Sequence, residues 1–229
     1  MKNFRYFWLL PGFMLMCLST SSHAQYHIGV RGGVNFAKFG PANVIPYNPN
    51  VRPNTAIVFN KSLSDALSIQ LEAGFSGRGT KYDETTEGVY KGAMFRYESS
   101  GSLNINYVEM PVLLQYRCGV GPFDLILSAG PDVKLLVGKT RAKNNSRIFR
   151  EGVLTSEVSD DSKSPKGDDF RGFDYGLTGG AGLAYPMRNL KLFAEARYHL
   201  GLRKIMPNGF HSNNRGLSAH AGVLFPIKL

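Results

Sequence analysis

A two-residue rhythm, sustained over stretches of about a dozen residues and repeated to the C-terminus, constrains this chain more than any motif in it. Leu190-Lys191-Leu192-Phe193-Ala194-Glu195-Ala196-Arg197-Tyr198-His199-Leu200 carries the pattern clearly. Leu190, Leu192, Ala194, Ala196, Tyr198 and Leu200 share one face, and Lys191, Glu195, Arg197 and His199 share the other. Period-2 alternation is the mark of a β-strand. Long strands of this kind, repeated, with one lipid-like face and one charged face, predict a transmembrane β-barrel.

Eight such strands can be placed, near 26–36, 54–61, 67–77, 103–117, 123–137, 173–185, 190–203 and 215–228. The second is the least regular, because Ala56-Ile57-Val58-Phe59 does not alternate. The connections sort into two kinds. Those at 62–66, 118–122 and 188–189 are short, and those at 38–53, 80–102, 138–172 and 204–214 are long. Strict alternation of short and long fits an up-and-down barrel, with tight periplasmic turns and larger outside loops. An even strand count then puts both termini in the periplasm. The expected fold is an all-β, eight-stranded antiparallel up-and-down barrel in the cell outer membrane.

The N-terminus fits export. Lys2 and Arg5 precede an apolar core from Phe7 to Leu18, and Ser22-His23-Ala24 offers small residues for cleavage after Ala24. Residues 1–24 read as a signal peptide and 25–229 as one barrel domain. The apolar run is broken by Pro11 and Gly12 and falls short of the roughly 20 residues a spanning helix needs. Met16 before Cys17 is not the small residue a lipoprotein signal wants, and cleavage leaves Cys118 as the lone cysteine. One cysteine makes no intramolecular disulfide. The formal net charge is +10. In an exported chain this basic surplus points to outer-membrane lipid and lipopolysaccharide or to periplasmic polyanions rather than nucleic acid, or simply to a basic solvated surface.

The inward positions collect Arg31, Gln70, Glu72, Glu109, Arg117, Asp132, Lys134, Glu195, Arg197, His199, Arg203 and His220. Both signs are present, and an eight-stranded barrel is just wide enough for side chains to fill it. The expectation is a salt-bridged plug, with Glu109 as a central member; a narrow conduit for a small solute is the alternative. No catalytic site, cofactor or metal is expected. Glu195 and His199 lie about 13 Å apart along one strand, and Ser218 and His220 about 7 Å, so neither pair forms a triad alone. Gly179-Gly180-Ala181-Gly182 lies within a strand with no helix after it, unlike a phosphate-binding loop. These glycines are expected to make room for large lumen side chains opposite. Pro111 and Pro131 fall mid-strand, where bulges or locally unpaired backbone are expected; Pro186 and Pro226 fit strand ends.

In the longest connection, Arg141, Lys143, Arg147 and Arg150 form a basic run and Asp160, Asp161, Asp168 and Asp169 an acidic one. Their spacing matches no calcium loop, and the segment reads as solvated. Tyr90, Phe95 and Tyr97, alternating with charged residues, read as a strand rising above the membrane toward a partner.

Two segments resemble a known family. Gly29-Val30-Arg31-Gly32-Gly33-Val34-Asn35-Phe36 looks like the first strand of PorT-like outer-membrane β-barrel proteins, the "porin family" small barrels. Tyr107-Val108-Glu109-Met110-Pro111-Val112-Leu113-Leu114-Gln115-Tyr116 resembles that family's Tyr-x-Glu-x-Pro-x-x-x-x-Tyr strand. The resemblance runs from about Tyr26 to the C-terminus. It implies an eight-stranded outer-membrane barrel, and its namesake member is a secretion-system accessory, so other envelope or secretion proteins are candidate partners. His220, Gly222, Phe225 and Ile227 resemble the terminal assembly signal of such barrels, although the chain ends in Leu229 rather than an aromatic residue. The expected function is non-enzymatic, structural or partner-binding, with a small porin-like transporter as the alternative.

Overall fold

The computed structural model describes residues 25–40, 47–164, 170–206 and 213–227. The signal peptide expected at 1–24, with Cys17 and the cleavage site, lies outside the described residues, as do Asp168, Asp169 and Leu229. Ten strands follow in chain order: β1 (Tyr26–Gly40), β2 (Tyr47–Ser62), β3 (Leu67–Tyr90), β4 (Ala93–Val120), β5 (Phe123–Leu136), β6 (Thr140–Arg150), β7 (Val153–Ser164), β8 (Phe173–Pro186), β9 (Lys191–Lys204) and β10 (Asn213–Ile227).

Eight of them close a ring. The order β3-β2-β1-β10-β9-β8-β5-β4 is completed by the β3–β4 pairing, and every pairing is antiparallel. β1 and β10 pair over their whole length, from Tyr26 opposite Ile227 to Gly40 opposite Asn213. Closure leaves no strand edge in the ring to be satisfied by lipid.

The other two strands leave the ring. β4 pairs with β5 from Tyr107 to Val120, but from Phe95 to Asn104 its neighbour is β6, which pairs in turn with β7. The upper halves of β3 and β4 therefore join β6 and β7 in a four-stranded sheet beyond one mouth. The solvated loop expected at 138–172 is corrected here: Arg141, Lys143, Arg147 and Arg150 lie on β6, and Asp160 and Asp161 on β7. The strand expected around Tyr90, Phe95 and Tyr97 is present as the β3–β4 hairpin. Both hairpins end in a residue–Gly pair with positive φ, Lys91-Gly92 (53° and 82°) and Glu151-Gly152 (50° and 80°). Two consecutive positive φ values make a type I′ turn, whose twist matches the flanking strands.

At the other mouth the connections are short: 63–66, 121–122 and 187–190. Pro186 and Pro226 pair near this rim, opposite Lys191 and His27. Pro111 and Pro131 interrupt the ladder without changing it. Pairing skips Val112 and Leu113 opposite Pro131 and Gly130, yet Pro111↔Asp132 and Leu114↔Ala129 keep one register. The expected unpaired backbone is there and a bulge is not. Register shifts fall instead between Pro49 and Asn54, between Asn213 and Arg215, and between Ile148 and Phe149.

Side chains alternate as the rhythm demands. Ile28, Val30, Phe36, Leu71, Leu114, Leu127, Leu192, Leu217 and Phe225 face outward and are exposed. Inside, the barrel is layered. Near the short-turn end Val58, Ile126, Ala184, Phe193 and Leu224 form an apolar cluster. This explains the irregular second strand: Ile57 faces out and Val58 in, so both faces are apolar there. Near the hairpin end Ile105, Tyr107, Leu136, Phe170 and Ile205 form another cluster. Charged side chains fill the space between.

Candidate functional site: the charged lumen

Two ionic groups occupy the centre of the barrel. In the first, Glu72 on β3 receives two arginines. Arg31 on β1 donates from Nε to Oε2 at 2.7 Å, and Arg197 on β9 donates to Oε2 at 3.0 Å and to Oε1 at 2.7 Å. Arg197 also donates to Glu195 at 2.8 Å, Arg31 to Asn54 at 2.6 Å, and Gln70 to Glu72 at 2.6 Å. Ser128 donates to the other Glu195 oxygen. Two cations meet two carboxylates, all buried. Charges out of water persist only when paired and hydrogen-bonded in this way.

In the second group, Arg78 donates to Glu109 at 2.9 Å, and Lys134 pairs with Asp132. Glu109, Lys134 and Asp174 stand in one register row across β4, β5 and β8. His199 Nδ1 lies 3.4 Å from Asp132 Oδ2 and 3.5 Å from Glu109 Oε1. Asn214 links Asp174, at 2.8 Å, to the Tyr107 hydroxyl, at 3.3 Å. Arg78 escaped the sequence reading because the third strand was ended at Gly77. Extending Glu72, Gly74 and Ser76 by one more step puts Arg78 on the same inward face.

The structure thus brings Arg31, Glu72, Glu195 and Arg197 into one group and Glu109, Asp132, Lys134 and His199 into another. It sets Arg117 apart: half-buried near the short-turn rim, it donates to Ser62 at 3.0 Å. His220 is buried in the lumen without a hydrogen bond to any described residue. Arg203 is also separate, donating to the Phe173 carbonyl at 3.1 Å over that residue's ring. Gly180 and Gly182 stand in register opposite Arg197 and Glu195. A Cβ on Gly180 would lie 2.7 Å from Arg197 Cγ, so the missing side chain makes the room expected of it.

Two arrangements invite a chemical reading. His199 Nε2 lies 2.9 Å from Ser218 Oγ, so Ser218, His199 and Asp132 line up across three strands. Strand spacing alone could not show this, because the partners lie on different strands. A nucleophile needs a substrate beside it, yet Ser218 is 1% exposed and Asp132 is held by Lys134. Glu109, Asp132 and His199 also present ligand atoms within 4.8 Å of one another. Arg78 and Lys134 already neutralise those carboxylates, and a metal ion would meet their charges.

Outside, the apolar band is edged by aromatic pairs, Phe123–Tyr185 and Tyr26–Phe59 at the short-turn rim and Phe173–Tyr175 at the other. A closed even-stranded barrel, apolar outside, polar inside and girdled by aromatic rings, is a transmembrane β-barrel. The chain belongs to the outer membrane protein beta-barrel domain family, whose family model matches residues 20–206. It is an integral outer-membrane barrel. Among solved structures it is similar to the attachment invasion locus protein Ail of Yersinia pestis, at 9% identity over 90% of this chain and 100% of that one, with a TM-score of 0.41. Neisserial surface protein A matches at 16% identity over 87% and 96%, TM-score 0.42. OprG of Pseudomonas aeruginosa matches at 14% over 91% and 99%, TM-score 0.39. No curated protein sequence matches the chain.

Proposed function

We propose that this protein is a closed, non-enzymatic barrel that presents its four-stranded sheet outside the cell as a docking surface. The carrying observation is the lumen. Two ion-paired groups fill its centre, and an apolar cluster lies toward each mouth. This supports a plug rather than a path. The burial of Ser218 supports a non-enzymatic reading. The short turns and both described ends, Gln25 and Ile227, share one rim, which supports placing the termini in the periplasm and the hairpins outside. The PorT-like resemblance supports an envelope partner, including a secretion-system accessory role, and an outer leaflet of lipopolysaccharide around the barrel.

Reconstitution in planar bilayers tests the plug. The barrel is expected to give no stable openings; steady single-channel steps would replace this reading with that of a small-solute transporter. Protease added to intact cells is expected to cut within 138–172, and cutting at Arg188-Asn189 in intact cells would reverse the sidedness. Crosslinking in native membranes is expected to trap an envelope protein through the β3–β4 and β6–β7 hairpins.

A further inference from the structure

The outward cations are divided unequally around the barrel. On the hairpin side they sit among acids: Arg141 with Asp161, Arg147 with Glu157, Arg96 with Glu98. On the side formed by β9, β10, β1 and β2 the pattern is different. There is no Asp or Glu anywhere from Gln25 to Ser64, nor from Ala196 to Leu229. Glu195, the one acid on these four strands, points into the lumen. Yet Lys38 on β1 stands directly opposite Arg215 on β10. Each comes one outward step beyond an outward apolar residue of its strand, Phe36 and Leu217, which are themselves register partners. Lys204 on β9 faces outward at the same rim and is exposed. Like charges directly opposite on one sheet face are destabilising. No described residue forms an ion pair with any of the three, and the Arg215 Nε is buried without a partner. The chain segments that bear them supply no anion.

We propose that Lys38, Arg215 and Lys204 form a binding site for the phosphates of an outer-leaflet glycolipid headgroup. This rests on the sidedness proposed above. The position argues for a lipid source rather than a free anion. Three cations on adjacent strands, one step above the apolar band, sit where an acyl chain lying along Phe36 and Leu217 brings its own phosphate. A guanidinium and two ammonium groups suit an oxyanion of that kind, Arg215 by paired donors and the lysines as point charges.

The test uses the membrane-inserted protein purified in nonionic micelles, with bis-phosphorylated lipid A as the probe and native mass spectrometry as the readout. Heat-dependent gel mobility first confirms that each variant is folded. The wild type is expected to retain lipid A. K38Q/R215Q is expected to bind it roughly thirtyfold more weakly, given the attraction of each basic residue near an anionic surface. Lipid A stripped of its phosphates is expected to bind the wild type as weakly as the variant binds the intact lipid. K61Q, which removes an outward cation at the opposite rim beside Tyr26, is expected to behave as wild type. Equal lipid A binding by wild type and K38Q/R215Q, or no dependence on the phosphates, overturns the site. Competition by inorganic tripolyphosphate at the same concentration as lipid A overturns the lipid source in favour of a soluble polyanion. If the double variant does not fold, exposed Lys204 carries the same test as K204Q, with a several-fold loss expected and no loss overturning the site. None of these results bears on bilayer conductance, so failure here leaves the plugged-barrel reading separately testable.

Discussion

The lumen and the sheet beyond the hairpin mouth use the same pair of side chains, arginine and carboxylate, at nearly the same distances. Arg31 and Arg197 each approach Glu72 to 2.7 Å in the lumen; Arg147 approaches Glu157 to 2.9 Å in the sheet. The lumen groups have almost no exposed side-chain surface, while Arg147 and Glu157 are each close to half exposed. Distance therefore says little about what such a pair contributes. A buried partner left alone keeps its charge in a medium that solvates it poorly, whereas an exposed one is taken up by water. The barrel can be unforgiving in its centre and permissive in its outer sheet although both are stitched by the same chemistry.

The sharpest way to break the comparison is at Glu72. Glu72→Leu removes the one carboxylate paired with Arg31 and leaves Arg197 only Glu195, and is expected to lower stability by about 3–5 kcal/mol. The midpoint of urea unfolding in micelles, followed by heat-dependent gel mobility, measures this. A shift no larger than that of a surface variant would place the lumen charges in water. Glu109→Leu, which strands Arg78, is expected to cost about 3 kcal/mol. Glu109→Leu with Arg78→Met is expected to recover most of that loss, since a buried pair exchanged for apolar groups is often close to neutral. Additive losses in the double variant would mean the two residues do not act on each other.

A smaller effect is expected from Gly180→Val. Its Cβ would press on the Ala196 carbonyl oxygen at 2.5 Å and on Arg197 at 2.7 Å, and overpacking of this kind costs about 1–3 kcal/mol. Gly119→Val, where a new Cβ meets nothing within 4 Å, is the matched control.

The smallest effects belong to the outer sheet. Replacing residues 140–164 by a short turn is expected to leave the barrel folded and its unfolding midpoint unchanged, because β6 and β7 add no strand to the ring. The hydrogen bond from Arg141 holds the Asp161 carboxyl below the usual carboxylate range, and that from Arg147 does the same for Glu157. A carboxyl whose folded value is depressed supports the fold above its unfolded value and loses that support as pH falls through the folded one. The rate at which protease cuts the hairpin is therefore expected to be flat near neutrality and to rise only below about pH 4. Asp161→Asn is expected to remove the Asp161 share of that acid dependence without moving the barrel's own midpoint.

Much of the ring was legible because its cause is local. Val108, Met110, Val112 and Leu114 face outward for the same reason they alternate: neighbouring side chains on a strand must point to opposite sides. The sheet beyond the mouth was half legible. Strands in water need no apolar face, so β6 and β7 lack the contrast that marked the others and read as a solvated loop. Their signal lay in the turns. Lys91-Gly92 and Glu151-Gly152 form those turns, but only the glycine of each pair is a turn signal, because Asn, Asp or Gly is the usual first residue of such a turn. Arg78 was lost at the same boundary, where the apolar alternation of β3 fades although the inward positions continue.

The amino-acid sequence by itself determined the strands of the barrel, their facing and the compartment. Each depends on patterns within a dozen residues and on which solvent those residues can tolerate. Only the tertiary structure decided which charges meet. Glu72 and Arg197 are 125 residues apart, and Ser218, His199 and Asp132 come from three strands. Such encounters depend on the register of every ladder between them and on how the closed ring brings strands across its lumen. A one-residue slip in any ladder would turn an inward partner outward, and no pattern within a single strand records that alignment.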